Sequence, residues 1–358
     1  MSDVNSFTIE SLAYGIEPVS EPWRAQARQR LDTLTKPLGS LGRLEDIAVQ
    51  FVAVRRDRWG EPIRKGVYIF AADHGVTVEG VSAYPSDVTR QMVMNFLAGG
   101  AAISVLAKLH HAGLAVIDVG IAGEFAGVAG LLDRNVARGT RNMRSEPAMT
   151  GDQVLRALAV GAEMAEAASA AGQNIVAIGE MGIGNTTAAS AITCALTGVP
   201  ASVATGRGTG TTPAAYAHKM AVIHGSVEKH FGDSVPAPIE ILRCLGGLEI
   251  AAMVGMMLEA ANHQLVIVVD GFISTAAAAI AAALSPASLD YMIAGHQSGE
   301  PGHQILLERL HLRPLLMLDM RLGEGTGAVL AMPLIESAVS LYANMATFAA
   351  AGVSEATA

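Results

Sequence analysis

Short apolar runs recur along the chain, and each ends in polar residues and glycines before a helical segment. Six are clear: residues 67–75, 114–120, 175–187, 265–271, 291–303 and 315–327. A weaker seventh covers residues 202–210. The apolar positions are continuous rather than alternating, which indicates strands buried on both faces. Strands that alternate with helices predict an α/β fold around a mainly parallel sheet flanked by helices.

The two ends of the chain contain no such run. Residues from about 21 to 59 predict two helices around the segment TKPLGSLGRLED, and residues from about 333 to 352 predict further helix. We therefore expect a small helical domain built from residues 1–60 and 333–358. The large α/β catalytic domain is expected to comprise residues 61–332.

Several helix starts are marked by capping residues. Thr150 and Gln153 have the spacing of a capping box. Asn185 is predicted to cap the helix that follows the GEMGIGNTT loop, and Thr212 the helix after it. Thr326 is predicted to cap the last long helix.

Composition and charge narrow the classes of function. The 358 residues are 51% hydrophobic, and the net charge of -9 with no basic run argues against a nucleic-acid partner. Cys194 and Cys244, the two cysteines, form no metal or CxxC spacing, so a reducing cytoplasmic location is expected. The first residues do not resemble a signal peptide. The uncharged stretches 271–289 and 337–354 are predicted to be buried helices rather than membrane spans.

Polar residues stand where the apolar runs end, and in a parallel sheet these ends share the edge at which ligands bind. The group consists of Asp73, His74, Asp118, Glu180, Asp270, His296, Ser298, Arg321 and Glu324. Some also have a structural interpretation. Asp73 and Asp270 suit turns, and Asp118 suits the support of a neighbouring loop. The GEMGIGNTT loop suits anion binding at a helix N-terminus, although it matches no standard phosphate motif.

Glu324 is the strongest catalytic candidate from the residues alone. It lies among Gly323, Gly325 and Gly327, and a carboxylate in such a partly desolvated turn should have a raised pKa, which suits a general base. Glu180 is the natural second carboxylate, since paired carboxylates are typical of chemistry at an anomeric carbon. No Cys, His and carboxylate spacing favours a metal. The residues predict an enzyme acting on a phosphorylated, sugar-like substrate, with no metal or other cofactor.

The motifs LTKPLGSLGRLE, ADHGV, GVSAYP, GEMGIGNTTAA, DGFIS and MRLGEGTGA occur in this order. Together they resemble the nicotinate-nucleotide:dimethylbenzimidazole phosphoribosyltransferase family of cobalamin biosynthesis. The resemblance implies a Rossmann-like sheet, a small helical domain made from both chain ends, and a homodimer. The implied reaction transfers the phosphoribosyl group of nicotinate mononucleotide to 5,6-dimethylbenzimidazole or a related base. Its products are α-ribazole 5′-phosphate and nicotinate.

The resemblance also implies roles for individual residues. Glu324 is the general base, and Glu180 is a second carboxylate that stabilises positive charge on the ribose. Lys219 reaches the site across the dimer. The other implied substrate-binding residues are Tyr84 and Met92 for the aromatic base, Gly182, Asn185 and Thr186 for the phosphate, and Ser298, Arg321 and Leu322 for further contacts to the substrates.

Three other functions stay open on the sequence. A related enzyme of the same fold would use another azole or a phenol as acceptor, and the natural base is open in the same way. A non-catalytic nucleotide-binding regulator would bind nicotinate mononucleotide without turnover. An NAD-dependent oxidoreductase is disfavoured because no glycine fingerprint follows the first strand.

Overall fold

The computed structural model describes residues 8–123, 127–206 and 212–354. Six parallel strands form the main sheet in the order β3-β2-β1-β4-β5-β6, and β7 and β8 form a separate parallel pair. The strands are β1 (Lys65–Ala72), β2 (Gly113–Gly120), β3 (Leu131–Asp133), β4 (Ile175–Met181), β5 (Val266–Val269), β6 (Met292–Ala294), β7 (His296–Gln297) and β8 (Leu316–Met317). The parallel α/β fold predicted from the sequence is confirmed.

The α-helices of the described residues flank this sheet. They are α1 (Ile9–Tyr14), α2 (Glu21–Asp32), α3 (Arg43–Arg55), α4 (Asp87–Leu97), α5 (Ala102–Leu109), α6 (Gly151–Ala170), α7 (Asn185–Thr197), α8 (Ala201–Ala204), α9 (Pro213–Phe231), α10 (Pro238–Leu245), α11 (Leu248–Asn262), α12 (Phe272–Leu284), α13 (Pro301–Arg309), α14 (Thr326–Asn344) and α15 (Phe348–Ala351). Short 3₁₀ segments cover Arg56–Arg58, Gly75–Glu79 and Pro286–Tyr291.

The strand order reverses between β1 and β4, because β2 and β3 lie on one side of β1 while β5 and β6 lie beyond β4. In open parallel sheets the crevice at such a reversal is where ligands bind. Both central strands are almost fully buried, as their continuous apolar sequences predict. The fold therefore directs the residues after β1 and β4 into one crevice.

The run at 315–327 contains a strand, as predicted, but this strand lies outside the main sheet, and the described part of the weak run at 202–210 contains no strand. The run at 315–327 yields β8, which pairs only with β7 and is not part of the main sheet. The edge strand is instead β3, which has three residues and so leaves almost no periodic pattern to detect. In the weak run at 202–210, the described residues form the end of α8 and a short loop; residues 207–211 lie outside the described part of the chain.

Helix capping followed the sequence at two sites and departed from it at two others. Thr150 and Gln153 form the predicted capping box, and the Thr212 side chain caps α9. At α7 and α14 the cap residues are Gly184 and Gly325, both with left-handed backbone. The predicted caps Asn185 and Thr326 are instead the first helical residues. The cap falls one residue before the predicted position because each preceding loop turns sharply at its glycine.

The chain ends meet in the structure. Helix α3 packs against α2 and α14, and Leu34 forms a β-bridge with Thr347. Helix α14 also packs against β4 and β5, so it contacts both the terminal helices and the sheet. The division into residues 1–60 plus 333–358 and residues 61–332 stays a prediction.

In the described part of the chain, two segments are long and apolar enough to cross a membrane by length and composition alone, Asp87–Leu109 and Thr326–Asn344. The first is divided into α4 and α5 by the Gly99–Gly100 turn. The second is α14, whose apolar face packs on the sheet and α3.

Of the uncharged stretches noted in the sequence, 271–289 contains the buried helix α12, as predicted. The stretch 337–354 contains the end of α14 and all of α15, whose residues are not buried.

Helices α6 and α11 approach closely because each has a glycine at the crossing. A Cβ added at Gly161 would overlap the carbonyl oxygen of Ala252, and one added at Gly255 would overlap that of Leu158. We expect Gly161→Ala to lower the free energy of unfolding by about 1–3 kcal/mol, because the helices must separate. Urea denaturation measures this change. Gly151→Ala, at the open start of α6, is the control and should unfold at or above the wild-type urea concentration. Equal midpoints for the two variants would contradict the prediction.

Candidate active site

A cavity of about 520 Å³ opens where the strand order reverses. All eleven residues proposed from the sequence as catalytic or substrate-binding line it: Tyr84, Met92, Glu180, Gly182, Asn185, Thr186, Lys219, Ser298, Arg321, Leu322 and Glu324. Asp270 and His296 also line it, whereas Asp73, His74 and Asp118 do not. The structure thus brings the proposed residues together, and their individual roles stay predictions.

A turn of three left-handed residues places Glu324 in the cavity. Gly323, Glu324 and Gly325 have φ angles of 84°, 65° and 91°. A side chain at Gly323 would overlap the Glu180 carboxylate, and one at Gly179 on β4 would overlap the carbonyl oxygen of Glu324. The glycines of this motif allow the turn to lie directly against the strand, and Glu324 is the one residue in it with a side chain to present.

Asp270, at the end of β5, holds the other side of this turn. Its carboxylate accepts hydrogen bonds from the Gly325 N–H at 3.2 Å and the Ala328 N–H at 2.9 Å. Burial raises the pKa of Asp270, while His296 and the N–H donors of α14 oppose the rise. Asp270 therefore anchors the N-terminus of α14, in line with the structural interpretation given to it from the sequence.

The Glu324 side chain is 5% exposed. Its Oε2 accepts a 3.4 Å hydrogen bond from the Ile103 N–H, at the start of α5. Burial raises the pKa of Glu324; the Ile103 N–H opposes the rise, and nearby Asp270 adds to it. This is the direction expected from the sequence, and a carboxylate with a raised pKa is a stronger base than an ordinary one.

Glu180, at the end of β4, is more strongly perturbed. Burial, with contributions from Glu249 and Asp270, raises its pKa to about 8, although the Asn185 side chain and the Glu324 N–H both donate hydrogen bonds to it. In most molecules Glu180 is therefore protonated at neutral pH. The expected role in stabilising positive charge requires this carboxyl to lose its proton when a cationic ligand binds, since a nearby cation lowers a carboxyl pKa.

The loop after β4 rests on a buried ion pair. His74 Nε2 lies 2.6 Å from Glu249 Oε1, and both side chains are excluded from solvent. Burial lowers the pKa of His74, but the attraction and hydrogen bond of Glu249, together with Asp73, outweigh burial and raise it. A side chain at Gly182 would collide with the carbonyl oxygen of Ala72 above this pair. His74, a candidate from the sequence, thus supports the loop from below.

Lys219 on α9 extends into the cavity of its own chain. Its Nζ donates a 2.9 Å hydrogen bond to Thr186 Oγ1 at the N-terminus of α7. Burial lowers the pKa of Lys219, and Glu300 opposes this change. Lys219 thus lines the cavity of its own chain, whereas the resemblance implied a lysine that reaches the site across a dimer. Together with the α7 N-terminus, the lysine forms a site suited to a phosphate.

The outer part of the cavity is apolar. Tyr84 and Leu322 are 55% and 56% exposed at its mouth, with Met92 and Val88 further in. Arg321 is exposed beside Leu322. This arrangement suits a flat aromatic ring stacked between side chains, next to a polar interior.

The sequence reasoning missed several residues of the site, among them Glu300, Phe272 and Ser274 in the lining and Glu249 behind it. Glu300 belongs to the same GHQSGEPGH segment as Ser298, and this proximity was the one available sign of it. Within the described residues, no group of three or more His, Cys, Asp or Glu side chains is arranged to hold a metal ion.

Comparisons with known proteins agree over almost the whole chain. A family model described as Phosphoribosyltransferase matches residues 16–353. The nicotinate-nucleotide–dimethylbenzimidazole phosphoribosyltransferase of Geobacter metallireducens is 50% identical over 338 residues, covering 94% of this chain and 96% of that protein. The protein of the same name from Chloroflexus aggregans is 48% identical over 343 residues, covering 95% and 96%. The crystal structure of CobT from Thermus thermophilus superposes with a TM-score of 0.89 at 47% identity, covering 94% of this chain and 100% of that one.

The raised pKa of Glu180 predicts a pH-dependent stability. Because this pKa is about 8 in the folded protein and 4.5 in the unfolded chain, the proton stabilises the fold fully below pH 4.5, and the stabilisation is lost as pH rises through 8. The unfolding free energy of wild type minus that of Glu180→Gln should fall by about 1.4 kcal/mol per pH unit between about pH 5.5 and 7. Urea denaturation at each pH measures the difference.

The matched control for this series is Glu308→Gln, which changes an exposed glutamate on α13. Its difference from wild type should not vary with pH in this window. A flat difference for Glu180→Gln as well would show that Glu180 holds no extra proton in the folded protein.

Proposed function

The chain belongs to the nicotinate-nucleotide–dimethylbenzimidazole phosphoribosyltransferase family, and we propose that it transfers the phosphoribosyl group of nicotinate mononucleotide to 5,6-dimethylbenzimidazole. The products are α-ribazole 5′-phosphate and nicotinate, in the nucleotide-loop branch of cobalamin biosynthesis. The observation that carries the proposal is the Glu324 carboxylate, held by a left-handed turn beside Glu180 in a cavity with a cationic end and an apolar end.

The two ends of the cavity suit the two substrates. The phosphate is proposed to bind at the N-terminus of α7, against Gly182, Asn185 and Thr186, with Lys219 as its cationic partner. Ser298 and Arg321 contact the rest of the nucleotide. The benzimidazole is proposed to stack between Tyr84 and Leu322 in the apolar mouth, with Met92 further in.

The proposed chemistry is a single displacement at the anomeric carbon. A benzimidazole ring nitrogen attacks from the face opposite the nicotinate, and the carbon–nitrogen bond to nicotinate breaks. The electron pair leaves with the nicotinate nitrogen, which changes from a cation to a neutral pyridine nitrogen. The other benzimidazole nitrogen gives its proton to Glu324. Inversion converts the β linkage to α.

The two carboxyl groups have different tasks in this scheme. Glu324 must be ionised to accept the proton, so activity should fall as pH drops through its raised pKa. Glu180 is proposed to face the ribose, where a developing positive charge favours its ionised form. The cationic nicotinate ring of the substrate acts in the same direction, because it lowers the pKa of a neighbouring carboxyl.

The assembly and location are also proposals. Met317, Leu318 and Leu322 are exposed apolar side chains within six residues of one another, and Leu322 lines the cavity; in the proposed homodimer a second copy of the chain covers them. Cys194 and Cys244 are free and buried, which fits the reducing cytoplasm expected from the sequence.

Replacing the general base tests the reaction directly. Glu324→Gln should lower turnover by a factor of about 100 or more, because the attacking base then keeps its proton. It should stay folded and bind nicotinate mononucleotide as wild type does, since Gln retains an acceptor for the Ile103 N–H. The assay mixes purified protein with nicotinate mononucleotide and dimethylbenzimidazole, and follows α-ribazole phosphate by chromatography and mass.

Asp319→Asn is the control, because this exposed carboxylate lies in the same segment with a φ of 54° that asparagine tolerates. Asp319→Asn should turn over like wild type.

Full activity of Glu324→Gln would exclude the role of Glu324 as the base. Product with another azole or a phenol, but none with dimethylbenzimidazole, would change the acceptor. Nucleotide binding with no product from any acceptor would favour a regulator.

The homodimer predicts a mass of twice 37.0 kDa in sedimentation velocity. Leu318→Asp should shift the protein toward the monomer, because a buried charge opposes association. Val235→Asp, at a 98% exposed position elsewhere, is the control and should leave the dimer intact. A wild-type monomer at micromolar concentration would contradict this assembly.

A further inference from the structure

The buried imidazole of His303 joins two segments that line the cavity. Its Nδ1 lies 3.0 Å from the Ser298 backbone N and 2.8 Å from Ser298 Oγ. Its Nε2 lies 2.9 Å from Thr275 Oγ1, and this hydroxyl donates a 2.7 Å hydrogen bond to the carbonyl oxygen of Gly271. Ser298 and Gly271 both line the cavity, while His303 and Thr275 lie entirely behind it.

These contacts permit one form of the ring. The Ser298 backbone N–H can only donate, so Nδ1 must be an unprotonated acceptor. Thr275 gives its hydroxyl proton to Gly271, so Thr275 Oγ1 must accept from Nε2–H. A second proton on Nδ1 would face the Ser298 N–H, donor against donor. Burial, with a contribution from His296, lowers the pKa of His303 to about 3, in agreement with a ring that stays neutral.

The ring thereby fixes the position of the Ser298 hydroxyl. The residue lies in the loop between β7 and α13, which has no regular secondary structure to hold it. His303 is anchored in α13 and is tied through Thr275 to the first turn of α12. The Ser298 hydroxyl donates to this neutral nitrogen at 2.8 Å, so its oxygen stays an acceptor, and the Glu300 N–H occupies only one of its lone pairs, at 3.5 Å.

We propose that His303 is a positioning residue that orients Ser298 for contact with the nucleotide and holds that wall of the cavity at a fixed distance from Gly271. This rests on the proposed function, since Ser298 is taken as a nucleotide contact there. His303 does not touch the substrate and neither gives nor takes a proton in the reaction. Its effect should therefore appear in nucleotide binding and should require Ser298.

A double-mutant cycle tests this role. The variants are His303→Leu, Ser298→Ala and the two combined, with His303→Asn as the conservative variant that returns an amide oxygen near the position of Nδ1. The readouts are the calorimetric Kd for nicotinate mononucleotide and separate KM values for both substrates. His303→Leu should raise the Kd and KM for the nucleotide about tenfold, as loss of one oriented hydrogen bond from a ribose hydroxyl to the Ser298 oxygen would. The KM for dimethylbenzimidazole should not change.

His303→Asn should recover part of the lost affinity. In the Ser298→Ala background, His303→Leu should have little further effect, because the two residues act through the same hydroxyl. Additive effects, or equal changes in the KM of both substrates, would mean that His303 only supports the fold and would overturn the proposal.

Thr275→Val guards against a His303→Leu protein that does not fold. It removes the hydroxyl that accepts from Nε2 and leaves every cavity-lining side chain in place. It should weaken nucleotide binding in the same selective way as His303→Asn. If Thr275→Val and His303→Asn are both folded and both bind the nucleotide with wild-type affinity, the proposal is overturned. If the wild-type protein binds the nucleotide but makes no product, the proposed function is refuted instead. The calorimetric Kd values of the variants would still test the role of His303.

Discussion

The site depends on the contact between the left-handed turn at Glu324 and the backbone of β4. Gly179 has no side chain, so the Glu324 carbonyl can lie directly on the strand, and the Asp270 carboxylate holds the start of α14 from the neighbouring strand. The conformation at Glu324 is one that non-glycine residues rarely adopt. The surrounding contacts determine it, as is usual for strained residues at functional sites. A side chain at any of the flanking glycines would move the carboxylate and alter the cavity.

The same close packing produces the unusual electrostatics. The turn and the loop after β4 exclude water from Glu180 and Glu324, and burial is the largest cause of both raised pKa values. Hydrogen bonds from the Asn185 side chain and from backbone N–H groups oppose part of this rise. Two cations nearby have other partners: Lys219 is hydrogen-bonded to Thr186, and His74 is paired with Glu249. The cavity therefore has its carboxyl groups where the ribose is proposed to bind, Lys219 at the proposed phosphate end and Arg321 beside the mouth.

The sequence was sufficient for much of this arrangement because parallel sheets bring strand ends together whatever the details. Glu180 and Glu324 were found as polar residues after apolar runs, and they meet because β4 and α14 adjoin. Where the structure differs from the predictions made from the sequence, the difference has a physical cause. Strand β3 is too short to show a pattern, and β8 left the main sheet because its two residues pair with β7. Glu249 lies within a continuous apolar helix, and only the fold shows that it faces His74. The resemblance implied that Lys219 reaches the site across a dimer, whereas the lysine contacts Thr186 of its own chain, because a resemblance carries no geometry.

The proposed reaction needs an ionised Glu324 beside Asp270, whose charge raises the pKa of both Glu324 and Glu180. If all three carboxyls were ionised together, their mutual repulsion would raise the free energy of the site. A proton on Glu180 removes one of these charges, and coupled carboxyls share protons in this way. The arriving nicotinate cation supplies positive charge in the same place, so Glu180 can then release its proton while Glu324 stays ionised. Substrate binding would thus leave both Glu180 and Glu324 ionised before the benzimidazole attacks. A nucleotide analogue whose base carries no positive charge would leave Glu180 protonated.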